Sequence, residues 1–133
     1  MEDIQELLSY SAGIIDGEDW IGMGNHRSVG ITVRMTEDAG ITVLKQVFGG
    51  TINIQTYKNP NYSDIYNWRL FARKDVTRCL QLLNTRCRVK APQVSLALEY
   101  LSTMKWHEND PELRNTFYLR FKKLNQTGKN NDP

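Results

Sequence analysis

The stretch Leu7–Trp20, LLSYSAGIIDGEDW, begins as an amphipathic helix and ends among acids. Asp16, Glu18 and Asp19 stand where that helix should stop, interleaved with Gly17. A helix C-terminus carries partial negative charge, so each carboxylate there is unfavourable by roughly 0.3–1 kcal/mol. Ser9, Gly13 and Gly17 recur at every fourth position and therefore line one side of the helix. Glycine inside a helix costs about 1 kcal/mol relative to alanine. Such a stripe offsets that cost where a second backbone must approach closely. The plain alternative is that Gly17 is a helix C-cap and Gly13 incidental. Ile4, Leu7, Leu8, Ile14 and Ile15 already form an apolar stripe for the chain's own core. The glycine side is then left for a partner.

Outward from this helix, 4–17, the chain alternates between helix and hairpin. WIGMGNHRSVGITVRMT reads as two strands around a turn at Asn25–Arg27. EDAGITVLKQVFGG fits a second helix with Val43, Leu44, Val47 and Phe48 inward, closed by Gly49–Gly50. TINIQTY and IYNWRLF flank the turn-rich KNPNYSD and form a second hairpin. KDVTRCLQLL is a third helix, and a fourth starts near Pro92. The order is αββαββα, with helix–hairpin occurring twice. DPELRNTFYLRFKKLNQ predicts a further helix with Asp110 as N-cap and Pro111 at its first position. TGKNNDP reads as a polar, mobile tail.

A chain of 133 residues that is 40% hydrophobic suits one compact core. A 24% charged fraction argues against wholesale disorder. No apolar run reaches the roughly 18–20 residues of a membrane span, and MEDIQELLSY has no signal-peptide character. A soluble, intracellular protein (cytoplasmic or organellar, not secreted) is expected. Cys79 and Cys87 have neither C-x-x-C spacing nor neighbouring histidines, so they read as free thiols rather than a zinc site. A net charge of +2 does not by itself announce nucleic acid. Its distribution is uneven: residues 1–20 hold acids and no Lys or Arg, whereas 69–90 and 114–129 are rich in both.

SAGIIDGED at 11–19 resembles the LAGLIDADG motif of homing endonucleases, variants of which read L-A-G-x-I-D-G-E-G. Ala12, Gly13, Ile15, Asp16, Gly17 and Glu18 carry the match. IYNWRLFARKDVTRCLQLL and RVKAPQVSLALEYL resemble later segments of that family, so the resemblance spans roughly 5–105. It implies an α+β fold: an αββαββα core with a four-stranded antiparallel saddle for DNA, over residues 1–105. Residues 106–133 are then a C-terminal basic helix and flexible tail. Two positions depart from the motif. Ser11 replaces its first Leu, a packing change, and Asp19 replaces a glycine, adding charge beside the acid.

The resemblance also resolves the misplaced acids. Two copies packed along Ser9, Gly13 and Gly17 bring two acid clusters together, which is costly unless cations lie between them. Oxygen-rich sites of this kind suit Mg²⁺, with Mn²⁺ able to substitute and about two or three ions per dimer. By resemblance Glu18 is the metal-binding catalytic acid, with the Gly17 carbonyl a second ligand and Asp16 a brace at the helix ends. A single motif implies a homodimer on a long, pseudo-palindromic duplex. Glu37 matches a position that organises water, although an acid at the start of the second helix is also favourable for the dipole. Lys90 matches a basic residue beside the scissile phosphate, an exposed lysine being the ordinary alternative, and Gln93 a supporting one.

Strand alternation sorts the DNA face. Ser28, Gly30, Thr32 and Arg34 of the second strand face out while Val29, Ile31, Val33 and Met35 face the core. Asn53, Gln55 and Tyr57 face out opposite Ile52 and Ile54; Ile65, Asn67 and Arg69 face out opposite Tyr66, Trp68 and Leu70. His26 belongs to the first hairpin's tip. These types suit hydrogen bonds to base edges, though most half-exposed sheets are polar outside. Arg73, Lys74, Lys58, Arg88, Arg114, Arg120, Lys122 and Lys123 are candidates for phosphate contacts. Two rival readings use the same residues: a non-cleaving, sequence-specific DNA-binding protein (a regulator or intron-splicing factor), and a protein–protein module dimerised by its glycine stripe.

Overall fold

The computed structural model describes residues 3–24, 28–104 and 110–130, without the side chains of Glu18, Asp19 and 127–130. The order is α1 (Ile4–Glu18), β1 (Asp19–Met23), β2 (Val29–Met35), α2 (Asp38–Phe48), β3 (Thr51–Gln55), β4 (Ile65–Leu70), α3 (Arg73–Leu83), α4 (Ala91–Met104) and α5 (Pro111–Asn130). The strands form one antiparallel sheet in the order β1-β2-β4-β3. The expected α+β architecture is therefore present. The turn Asn25–Arg27 and His26 lie outside the described residues. No helix is long and apolar enough to cross a membrane among those described.

One face of the sheet carries the core. Ile21, Ile31, Val33, Trp68 and Leu70 are fully buried there, against Leu8 and Ile15 of α1, Ile41, Leu44 and Phe48 of α2, and Val76, Leu80 and Leu83 of α3. Gly40 lets α1 and α2 close up, since a Cβ there would stand 2.9 Å from Ile14 Cδ1. Ser11 is buried and its hydroxyl donates to the Leu7 carbonyl at 2.7 Å, so this motif departure leaves no polar atom orphaned. Cys79 and Cys87 are buried thiols, not joined in a disulfide.

Gly49 and Gly50 both take positive φ, 83° and 88°, and turn α2 into β3. A Cβ on Gly50 would meet the Arg69 carbonyl at 2.6 Å, so only glycine lets the turn lie on β4. Trp68 seals it: its indole N–H donates to the Gly49 carbonyl at 2.7 Å. α5 begins as expected, with the Leu113 N–H on the Asp110 carboxylate at 3.0 Å. It buries Phe117 and Phe121, and Tyr100 of α4 meets Phe117 edge-on at 5.1 Å.

Three expectations are corrected. Ile4, in the first turn of α1, is 54% exposed rather than part of the buried stripe. Ile54 is 52% exposed rather than core, because it lies on the edge strand β3, paired with a half-buried Tyr66. The tail does not start at Thr127: α5 runs to Asn130, since Gly128 alone costs a helix about 1 kcal/mol and no proline intervenes. Trp68→Phe should lower unfolding stability by about 2–3 kcal/mol, by lost burial and an undonated Gly49 carbonyl, read as the shift of a urea transition.

Candidate functional site

α1 passes into β1 without a loop, so Glu18 is its last residue and Asp19 the first of the strand. The helix runs through Gly17 with no positive φ, which removes the C-cap reading of this glycine. Ser9, Gly13 and Gly17 are exposed, and a Cβ built on either glycine would find nothing within 4 Å. The opposite face of the same helix buries Leu8, Ala12 and Ile15. A bare stripe thus runs to the helix end that carries the acids.

Asp16 does not point into that stripe's partner space. Its carboxylate accepts from the backbone N–H of Arg88 at 2.8 Å and of Lys90 at 3.0 Å, tying the α3–α4 connection to the end of α1. Burial pushes the carboxyl pKa up, but these two bonds, with contributions from the Cys87 side chain and the Val89 N–H, outweigh it and hold the group below the ordinary 3.8. Cys87 continues the seam, its thiol donating to the Ala12 carbonyl at 3.9 Å. The brace expected of Asp16 is therefore within one chain. It brings the backbone of half-buried Lys90 beside the residue two before Glu18.

Glu37 is exposed at the N-cap position of α2 and makes no side-chain cap hydrogen bond, which leaves the helix dipole as the favourable contribution to its placement. Gln93 is buried, only 7% exposed, in the first turn of α4. Among the described residues no three His, Cys, Asp or Glu side chains gather as a metal site.

The other face of the sheet is organised in rows. Trp20, Thr32, Arg69 and Thr51 pair across all four strands, and Arg34, Asn67 and Asn53 across three. Thr32, Arg34, Asn53, Asn67 and Arg69 line one open groove with Trp20, Phe71 and Tyr118. Arg69 holds its guanidinium 5.1 Å from the Phe71 ring centre. Ser28, Gln55, Tyr57 and Lys74 are exposed, and Tyr57 pairs with Tyr62 at 5.6 Å in the β3–β4 connection.

Gly30 is not available to a ligand. It is buried beneath Phe71, whose ring atoms would stand 2.3 Å from a Cβ there. Gly22 lies opposite it in register and is covered by Trp20 in the same way, at 2.7 Å. The paired glycines form a trough that the two rings fill, 6.5 Å apart and 29° from parallel. Arg73 donates to the Leu101 carbonyl at 3.1 Å and joins α3 to the end of α4. Arg120 pairs with Glu99 at 3.3 Å, so both cations are engaged within the chain. Phe71 was legible, since the alternation through 65, 67 and 69 reaches it. Tyr118 on α5 had no comparable signal.

No family model matches this sequence, and no curated protein does. Solved structures do. The homing endonuclease I-CvuI, in complex with an I-CreI target and Mg, aligns at TM-score 0.71 and 15% identity over 90% of this chain and 82% of its own. The archaeal intron-encoded homing endonuclease I-Vdi141I, complexed with DNA, aligns at 0.63 and 16%, over 98% and 87%. The LAGLIDADG homing endonuclease I-SmaMI, bound to cleaved DNA, aligns at 0.62 and 18%, over 86% of this chain but 42% of its own. The chain thus has the fold of the LAGLIDADG homing endonucleases.

The clamp on Lys90 has a pH signature. Asp16 is easier to ionise folded than unfolded, so its contribution is fully present above the ordinary 3.8 and is lost as pH falls through its lower folded value. Asp16→Asn should therefore be less stable than the parent near neutrality, with the two converging as pH falls through the lowered folded-state value of Asp16 in chemical-denaturation titrations.

Proposed function

We propose that this chain, built on the LAGLIDADG fold, is a site-specific DNA endonuclease that works as a homodimer on a long, pseudo-palindromic duplex. The observation that carries the reading is the end of α1: a stripe with open space at Gly13 and Gly17 runs to Glu18, while Asp16 draws the loop of Lys90 to the same point. A second copy laid on that stripe brings the two Glu18 residues together. The fold's likeness to DNA-bound homing endonucleases supports the substrate.

A divalent cation fits this arrangement. The last carbonyls of α1, that of Gly17 among them, have no partner within the helix and carry its negative pole. Glu18 and the Gly17 carbonyl would hold Mg²⁺, which when bound supplies Lewis acidity and neutralises phosphate charge. The chain's own groups do the rest. Lys90, on its clamped loop, offsets charge that grows on the scissile phosphate. Glu37 orders water at the end of β2. Thr32, Arg34, Asn53, Asn67 and Arg69 read base edges along the groove, with Ser28, Gln55 and Tyr57 extending the face.

Cleavage of a random duplex library in Mg²⁺ tests the reading. The parent should cut both strands, and Glu18→Gln should retain binding while losing about 100-fold or more in rate. Binding by both without cutting favours the non-cleaving DNA-binding alternative. Absence of DNA retention even at low salt, where phosphate contacts are strongest, rejects both. Sedimentation should give a dimer that Gly13→Leu disrupts.

A further inference from the structure

Asn125 of the C-terminal helix α5 bridges the edge strand β1 and the first turn of α4. β1 is an edge strand, so the backbone groups on its open side have no neighbouring strand to bond. The Ile21 carbonyl is one of them, and Asn125 Nδ2 donates to it at 3.1 Å. A carbonyl accepts and never donates, so the nitrogen of the Asn125 amide must face Ile21. Its Oδ1 is then the acceptor offered elsewhere, and Gln93 Nε2 donates to it at 3.3 Å. The order of donors runs one way, from Gln93 to Asn125 to Ile21. Turning either amide over would set oxygen against oxygen.

This chain of bonds leaves one atom unaccounted for. Gln93 Oε1 is buried and has no hydrogen-bond partner among the described residues. Unpaired buried acceptors are rare, because each gives up its bonds to water for nothing. Gln93 lies three residues past Lys90, in the first turn of α4 and beside the loop that Asp16 clamps.

We propose that Asn125 is a positioning residue: it orients the Gln93 amide so that Oε1 accepts from a water ordered at the cleavage centre, which makes α5 a working part of that centre. The proposal rests on the nuclease reading above. It also separates two roles of Asn125, because capping Ile21 needs the donor whereas orienting Gln93 needs only the acceptor.

Single-turnover cleavage, DNA affinity and thermal midpoint, measured below every variant's unfolding range, test it. Asn125→Leu removes donor and acceptor, and its cleavage rate should fall about 10- to 100-fold with affinity unchanged. Asn125→Asp keeps the acceptor and should cleave near the parent rate although its thermal midpoint drops. Gln93→Met should melt at or above the parent temperature yet lose the same rate, and combining it with Asn125→Leu should add no further loss. A parent-like rate in Asn125→Leu or in Gln93→Met overturns the proposal, as does an Asn125→Asp rate as low as that of Asn125→Leu. Should the parent cut no DNA, the nuclease reading fails, but the orientation is still read by NMR. Gln93 side-chain amide protons should exchange slowly in the parent and Asn125→Asp and faster in Asn125→Leu; equal exchange in all three overturns the positioning.

Discussion

The carboxylate of Asp16 accepts two backbone N–H groups from a loop far along the chain, and the candidate site depends on that clamp. Without it α1 would still pack, since Leu8, Ala12 and Ile15 hold it to the core. The loop of Arg88 to Lys90, however, would have little to fix it against the helix end. The acid at this poor position for the helix dipole is thus matched by amide donors, which stabilise a carboxylate better than water-exposed helix carbonyls oppose it. Glu18 follows two residues later, where the helix runs straight into β1.

The sheet carries the same division of labour across its two faces. One face is closed by three helices over Trp68 and its neighbours. The other stays open because its central side chains are polar and because Gly22 and Gly30, opposed in register, let Trp20 and Phe71 lie in the surface. Those rings leave a flat apolar shelf beside Arg69, so the groove offers apolar contact and hydrogen bonds together. A duplex major groove presents both, as thymine methyls and as base-edge donors and acceptors.

α5 binds these parts from outside. Phe117 and Phe121 enter the core, Tyr118 joins the groove on the open face, and Asn125 caps the edge strand. An edge strand left bare is a template for wrong pairing, and a covering helix removes that liability.

Much of this was legible in the residues alone. Periods of 3.6 and 2.0 located every helix and strand within a few residues, the capping pair Asp110–Pro111 started α5, and Gly49–Gly50 ended α2. Ser9, Gly13 and Gly17 marked the exposed stripe of α1, because small residues at every fourth position are a local pattern. Contacts between distant segments carry no such pattern. That Asp16 would spend its carboxylate on Arg88 and Lys90, that Phe71 would bury Gly30, that Arg73 would turn to Leu101, and that Asn125 would meet Gln93 were decided only by packing. The physical reason is the same in each case: a side chain's hydrogen-bonding capacity is set by its chemistry, but its partner is set by which backbone the tertiary fold brings within about 3 Å.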